Sequence, residues 1–404
     1  MKDSSPSPQV DVIVERQWHI GIHARALREA GMLGTVYGGF PAYRYLSQGV
    51  PKESLSTQAW AIYWHEICRR LPGLSFFDVD VPRAIANWTL QQPRLNRYVA
   101  CYSTVYKYLF PTLKDRGHIL ILERGSTHPE NYFHQIQRGL KEAGLPYLEK
   151  LPAEYEEEIK VGRLSHFVVA GSSAIKESYV SRGYDPEKIL LIPYGTDHNL
   201  FAYVERPTVL NRPLRMACVG SIGIRKGLQR LLWIGEWAQE QKIDLEIRLI
   251  GPLEPECAIL LKKSTAVVHC LGVKKGAELV QVLQDCDLYC LPSYEEGFGI
   301  SVIEGMSTGM PAIVSSEAGA REAVADGVDG IILTTFQPDE MAKKLSVLLN
   351  DGKKRVEMGR AARKKVEANY KIENYCQTLR TEYQRMFALV DRMGNSLSTA
   401  VKSS

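Results

Sequence analysis

The stretch "PSYEEGFGISVIEGMSTGMP", residues 292–311, decides how this chain is read. Leu288, Tyr289, Cys290 and Leu291 precede it as a short apolar run expected to form a buried strand. Val302, Ile303 and Met306 within it have helical spacing. Between the two lie glycines at a strand-to-helix turn. Glycine lets backbone N–H groups approach a ligand closely, and a helix N-terminus favours negative charge. One carboxylate, Glu296, stands before the Gly-Phe-Gly turn, and a second, Glu304, is expected in the first helical turn after it. Such a turn is expected to hold a ligand.

Outward from it, strand-like and helix-like segments alternate. "LRMACVG" (214–220), "LEIRLIG" (245–251), "AVVHCLG" (266–272), "PAIVS" (311–315) and "GIIL" (330–333) read as strands, with helices near 227–239, 275–284 and 320–325. Short β-rich runs spaced by helices imply a parallel sheet covered on both faces. In the first half, "VDVIVE" (10–15), "HILILE" (118–123), "HFVVA" (166–170) and "ILLIP" (189–193) are strand candidates. Residues 41–115, rich in Trp, Tyr and Pro, give no clean period. A chain of 404 residues is too long for one ordinary core, so two α/β domains with doubly wound parallel sheets are expected. They are placed at 1–203 and 204–373, with the boundary in "YVERPTVLNRP" (203–213); a C-terminal helix and a disordered tail, "GNSLSTAVKSS", follow.

A hydrophobic content of 45%, 24% charged residues and a net charge of +4 suit anionic small molecules or an anionic membrane surface. That charge is too mild for a nucleic-acid partner. Eight cysteines without a C-x-x-C pair, most of them in apolar stretches, read as buried reduced thiols, which points to a reducing compartment, the cytoplasm. The N-terminus has no signal-peptide core, and no apolar run reaches the ~18 residues that span a bilayer. Membrane contact is therefore expected to be at most peripheral, at the inner face.

"SIGIRKG" (221–227) follows the first strand of the second domain and brings Arg225 and Lys226 to the sheet edge that carries the Glu296 turn. A fixed cation pair there stabilises a departing diphosphate. Ser301-x-x-Glu304 also fits a capping box, in which Glu304 would only satisfy orphan N–H groups. The accompanying staple is missing, because Gly305 occupies the position that needs an apolar residue. In the other reading Glu304 accepts two ribose hydroxyls, kept ionised by the helix dipole, and Glu296 accepts sugar hydroxyls. The backbone of Gly297, Phe298 and Gly299 would then meet the phosphate or the sugar. Two Asp-x-Asp triplets, at 78–80 and 285–287, assemble no shell of hard ligands, so no essential metal is expected. "AEYEEEIK" (153–160) reads as the solvated face of a helix.

Glu296, seven intervening residues and Glu304, with "EGFG" before and "GMP" after, resemble the E-x7-E signature of retaining GT-B glycosyltransferases, the family of bacterial lipopolysaccharide, mannosyl and sucrose-type transferases. "VGSIGIRKG" resembles that family's phosphate loop, "PYGTDHNLF" (193–201) its hinge motif, and "AGAREAVADGVDGIIL" (318–333) its segment after the E-x7-E helix, with Glu322 at the acidic position. The resemblance implies a GT-B fold, with acceptor binding on the first domain, nucleotide sugar on the second, and the C-terminal helix crossing back to the first. It gives Lys226 the diphosphate, Glu304 the ribose and Glu296 the transferred sugar. The family has Arg directly after the glycine that ends the strand; here Ser221 stands there, and Arg225 is expected to supply the charge.

On the first domain, "ILERGSTHPENY" places His128 beyond a strand, where it would bond the donor sugar, help position the acceptor, or be bonded locally, for instance as the cap of the helix after Pro129. Glu123 and Arg124 are second choices. Gly21 is expected at a helix start facing the cleft, near His19 and His23, and "YGGFP" (37–41) at the acceptor site. Backbone around Val273, in "HCLGVKK", would read the base. Residues 93–110 suit a lipid-linked acceptor at a membrane surface, and a charged helix packed on the sheet explains them equally well. The expected function is metal-independent transfer of a sugar, with retention, from a nucleotide-diphosphate sugar to a glycan, lipid-linked or small-molecule acceptor. A catalytically impaired nucleotide-sugar sensor, an epimerase and a phosphorylase are the rival readings.

Overall fold

Short buried runs make two parallel sheets, seen in a computed structural model that describes residues 7–15, 20–71 and 78–402. The first part of the chain runs β1 (Val10–Val14), α1 (Ile20–Glu29), β2 (Leu33–Gly38), α2 (Ala42–Leu46), β3 (Leu55–Thr57), α3 (Trp60–Arg70) and α4 (Val81–Leu90). It continues with β4 (Tyr98–Tyr102), α5 (Tyr106–Asp115), β5 (Ile119–Glu123), α6 (Pro129–Glu142), α7 (Ala153–Gly162), β6 (Phe167–Ala170), α8 (Ser173–Val180) and β7 (Ile189–Leu191). These strands form one sheet in the order β3-β2-β1-β4-β5-β6-β7.

Strand β4 lies at the centre of that sheet, yet it falls in the stretch without a readable period. All five of its residues are buried, so both faces are apolar and no alternation marks it. Beyond it, Tyr106, Leu109, Phe110 and Leu113 of α5 are buried too. The 93–110 segment is thus a core strand and a core-packed helix, which favours the second of its two readings, a helix packed on the sheet.

The second part runs β8 (Leu214–Val219), α9 (Leu228–Glu240), β9 (Leu245–Ile250), α10 (Cys257–Lys263), β10 (Val268–Gly272), α11 (Gly276–Gln284) and β11 (Leu288–Leu291). Then come α12 (Ile300–Ser307), β12 (Ala312–Ser315), β13 (Gly330–Leu333), α13 (Pro338–Asn350), α14 (Gly352–Asn369) and α15 (Ile372–Lys402). Its sheet has the order β10-β9-β8-β11-β12-β13. In both sheets the order reverses beside the first strand, and ligands of open α/β sheets bind at such a switch point, outside the carboxyl ends of the strands. The helix expected near 320–325 is only a five-residue 3-10 turn, Gly319–Ala323. A Cβ on Gly319 would stand 1.9 Å from the Gly297 carbonyl oxygen, so this segment is pinned against the Glu296 turn.

The chain passes between the sheets at two adjacent places. Thr196 pairs with Lys371, and its N–H donates to the Tyr370 carbonyl (2.8 Å). From there α15 returns to the first sheet. Tyr375, Leu379, Tyr383 and Met386, at helical spacing, share a core with Ile20 and Leu27 of α1. The helix extends to Lys402 and includes most of the tail expected to be disordered, since no proline interrupts it after Ile372.

Candidate active site

The loops after β8 and β11, neighbours in the sheet, leave their carboxyl ends side by side. Gly227 (φ 74°) opens α9 in the left-handed region, and a Cβ there would stand 2.1 Å from the Pro292 carbonyl oxygen. The Tyr294 N–H donates to the Arg225 carbonyl (3.0 Å) and knits the loops together. Gly220 lets the Lys226 side chain lie across the strand end, where a Cβ would come within 2.8 Å of Lys226 Cε. Lys226 Nζ donates to Glu296 Oε2 at 2.5 Å and Arg225 Nη1 to the same oxygen at 3.2 Å. Burial opposes ionisation of Glu296, but the Lys226 and Arg225 charges outweigh it and hold its carboxyl below the usual range. Three residues named from sequence thus converge on one point.

Glu304 lies in the second turn of α12, not the first. Gly299 (φ 83°) is the N-cap, without a side-chain cap, and Ser301 sits inside the helix with its hydroxyl toward the Val219 carbonyl (3.5 Å). The capping-box reading therefore fails. The dipole argument fails as well, because that field fades beyond the first turn. Burial pushes the Glu304 carboxyl up to about 7 against the opposing Lys226 charge. Gly305 is accounted for by packing, since a Cβ would strike the Tyr289 ring at 2.5 Å. Phe298 is buried against Tyr194 and Tyr370, which leaves only its backbone for a ligand. Ser221 is exposed, and its hydroxyl donates to Glu254 Oε1 (3.3 Å).

The opposite wall comes from the first sheet. Glu295 Oε1 accepts from the Thr127 N–H (2.9 Å) and hydroxyl (3.1 Å), and Ser172 Oγ donates to the Gly297 carbonyl (2.5 Å). A Cβ on Gly297 would meet the Gly125 carbonyl oxygen at 2.1 Å, so the turn abuts the first domain backbone to backbone. A cavity of about 500 Å³ lies between the walls, with Arg225, Glu295 and Glu296 on one side and Glu123, Arg124 and five tyrosines (102, 106, 132, 155 and 194) largely on the other. Glu123 ends β5, lines the cavity, is 2% exposed, and has its Oε2 3.6 Å from His23 Nδ1. Burial raises its pKa to about 8. Glu158 is not on a solvated face as expected. It is buried, pairs with Arg124, and lines the cavity with Glu154.

Other named residues lie elsewhere. His128 caps α6, its Nδ1 accepting from the Glu130 N–H (3.4 Å), and its ring packs edge-on against Tyr179 and Tyr184. It does not line the cavity, and burial lowers its pKa to about 4. Gly21, near the start of α1, packs against the Gln48 carbonyl (2.3 Å from a built Cβ). Val273 follows β10, two strands from β8, and its side chain is exposed. His19 lies outside the described residues; His23 is buried, with Nδ1 2.9 Å from the Tyr375 hydroxyl. Asp78 pairs with His65, Asp80 caps α4, and Asp285 and Asp287 pair with Arg215, Arg248 and Arg212. Among the described residues no group of three or more His, Cys, Asp or Glu is placed to hold a metal ion. The sequence reading missed Glu295, Glu254 and the tyrosines of the cleft. The doubled acid in "EEGFG" was the visible signal for Glu295.

Residues 205–365 match the family of glycosyl transferases group 1. Over 108 residues it is 37% identical to an N,N'-diacetylbacillosaminyl-diphospho-undecaprenol alpha-1,3-N-acetylgalactosaminyltransferase of Campylobacter jejuni, covering 27% of this chain and 28% of that one. Over 229 residues it is 30% identical to a D-inositol 3-phosphate glycosyltransferase of Corynebacterium urealyticum, covering 51% and 54%. The chain thus spans about a quarter to just over half of these relatives. The sucrose-phosphate synthase structure from Thermosynechococcus elongatus superposes with a TM-score of 0.67 at 17% identity, over 94% of this chain and 100% of that one. HepE of Anabaena, in complex with UDP and glucose, gives 0.63 at 14%, over 93% and 99%. The fold is GT-B, as the sequence resemblance implied.

Proposed function

We propose that the chain is a retaining glycosyltransferase that moves a sugar from a UDP-sugar to a hydroxyl of an acceptor held in the tyrosine-walled cavity. The observation that carries this reading is the convergence of Lys226 and Arg225 on Glu296 beside Glu304, within a group 1 glycosyltransferase domain. UDP is favoured as the nucleotide because HepE, a structural neighbour, holds it. The donor's diphosphate takes over the Lys226 and Arg225 charges, which stabilise it as it leaves. Glu296, released from its ion pair, accepts hydroxyls of the transferred sugar, and Glu304 accepts those of the ribose. No carboxylate is assigned as a covalent nucleophile. The acceptor attacks the face the diphosphate leaves, its proton passes to the departing phosphate oxygen, and the anomeric configuration is kept.

The cation pair supplies the charge a divalent metal would bring, so turnover is expected to persist in EDTA. A lipid-linked sugar is the favoured acceptor, because the Campylobacter relative acts on an undecaprenol-linked one. Nucleotide release from UDP-glucose, UDP-galactose and their N-acetyl forms, with and without polyprenyl-diphosphate sugars, tests the reading; proton NMR of the product gives its anomeric configuration. Tight UDP binding without turnover on every acceptor would favour the sensor, a reading prompted by Ser221 and its carboxylate neighbour Glu254.

A further inference from the structure

One side of α3 is apolar and exposed. Trp60, Tyr63, Trp64, Ile67 and the C-cap residue Leu71 recur at i, i+3, i+4, i+7 and i+11, each between 39% and 55% exposed. Ala61 and Cys68 face the other way and are buried. Short α2 adds Tyr43 at 62% and Leu46 at 40%. Scattered apolar side chains on a surface are ordinary; a helical stripe carrying two tryptophans marks an interaction site.

Charge narrows the partner. Between residues 43 and 71, four cations (Arg44, Lys52, Arg69 and Arg70) face two carboxylates, Glu53 and Glu66. Arg70 follows Ile67 by three residues and borders the stripe, and both it and Arg69 are exposed. Glu66 lies 3.5 Å from Arg69, and nearby Asp78 is engaged by His65. Tryptophan and tyrosine beside arginine favour the headgroup level of a bilayer. Among the described residues no helix is long and apolar enough to cross a membrane, so the fitting mode is a helix lying along the surface. The charge excess favours an anionic surface over a second copy of the same basic patch.

Position ties this face to the cleft. Helices α2 and α3 begin just after the carboxyl ends of β2 and β3, on the edge from which Tyr102 and Glu123 reach the cavity. We propose that the α2–α3 face docks on an anionic phospholipid bilayer and holds the open edge of the first sheet toward the lipid. The inference goes beyond the sugar-transfer reading and can fail apart from it, because vesicle binding and nucleotide release are separate measurements.

The test is sedimentation of the full chain with phosphatidylcholine vesicles, with and without phosphatidylglycerol. Binding is expected only with the anionic lipid, weakening as salt rises. Replacing Trp60, Tyr63 and Ile67 together by Ser should lower the bound fraction about tenfold. Arg69→Glu with Arg70→Glu should abolish the lipid preference. Far-UV circular dichroism checks the fold of both variants. Quenching of the native chain's tryptophan fluorescence by brominated lipids gives a readout that needs no variant. Native protein that stays in the supernatant unquenched overturns the proposal. So does a triple-serine variant that binds as well as the native chain, or a native dimer that this variant dissociates, which would assign the face to a second copy.

Discussion

Lys226 Nζ and Glu296 Oε2 lie 2.5 Å apart although 70 residues of chain separate them. Both side chains are largely buried, so removing Glu296 strands the Lys226 charge, and removing Lys226 leaves Glu296 with Arg225 alone. Lys226→Ala is expected to lower kcat/KM by about a hundred- to a thousandfold, the range for losing one preorganised charge stabiliser. It should also weaken UDP binding and lower Tm, and Lys226→Arg should restore part of the binding. Steady-state kinetics with calorimetry of UDP binding would show it; unchanged values in both would remove Lys226 from the site.

Glu304 and Glu123 set a pH dependence of stability. Burial raises their carboxyls to about 7 and about 8, whereas an unfolded glutamate titrates near ~4.3. Folding favours their protonated forms. Stability is therefore greatest below the unfolded value and falls as pH rises toward each folded value. Scanning calorimetry of the ligand-free chain should show Tm declining from pH 5 to 8. Glu304→Gln should remove the part completed by about pH 7, and Glu123→Gln the part that extends to about 8. A decline equally steep in the double variant would contradict this assignment.

Nucleotide affinity should carry the opposite slope. If Glu304 accepts ribose hydroxyls best when ionised, UDP binding tightens as pH rises through about 7. Glu304→Gln should bind more weakly at pH 8 and show no such rise, which isothermal titration at several pH values would reveal.

Gly227 is held to glycine by two independent constraints, its φ of 74° and the Pro292 carbonyl oxygen 2.1 Å from a built Cβ. Gly227→Ala adds about 1–2 kcal/mol of left-handed backbone strain and must also part the two loops. A lower Tm together with a large loss of kcat is expected. A loss of Tm alone, with kcat retained, would mean the loop contact is not needed for turnover.

His128 is predicted to matter for stability and not for turnover. Asn retains an acceptor at the N-cap, whereas His128→Ala should cost about 1 kcal/mol through the lost cap. Thermal melts should separate the two substitutions, with kcat near the native value in both. A collapse of kcat in the well-folded Asn variant would return this histidine to the reaction.

The second sheet was legible because most of its strands are short apolar runs bounded by glycine, proline or acid, with helices between all but the last two. Strand β4 was not, since burial on both faces erases alternation. At the site, Arg225, Lys226 and Glu296 were singled out by their place on adjacent loops, and Glu304 by its spacing from Glu296. The tertiary geometry that turns His128 toward Tyr179, or aims Glu158 into the cleft, leaves no mark at that range of sequence. The burial of the Phe298 ring left no mark either, since a residue inside such a turn can still send its side chain into the core.

The paired crossing at Thr196 and Lys371 constrains how the two lobes can part. Both connecting segments lie together, so separation must swing about that spine as covers swing from a book. The Thr127 bonds to Glu295 and the Ser172 bond to the Gly297 carbonyl would have to release during such a swing. Entry of a donor and escape of its spent nucleotide would then share one latch.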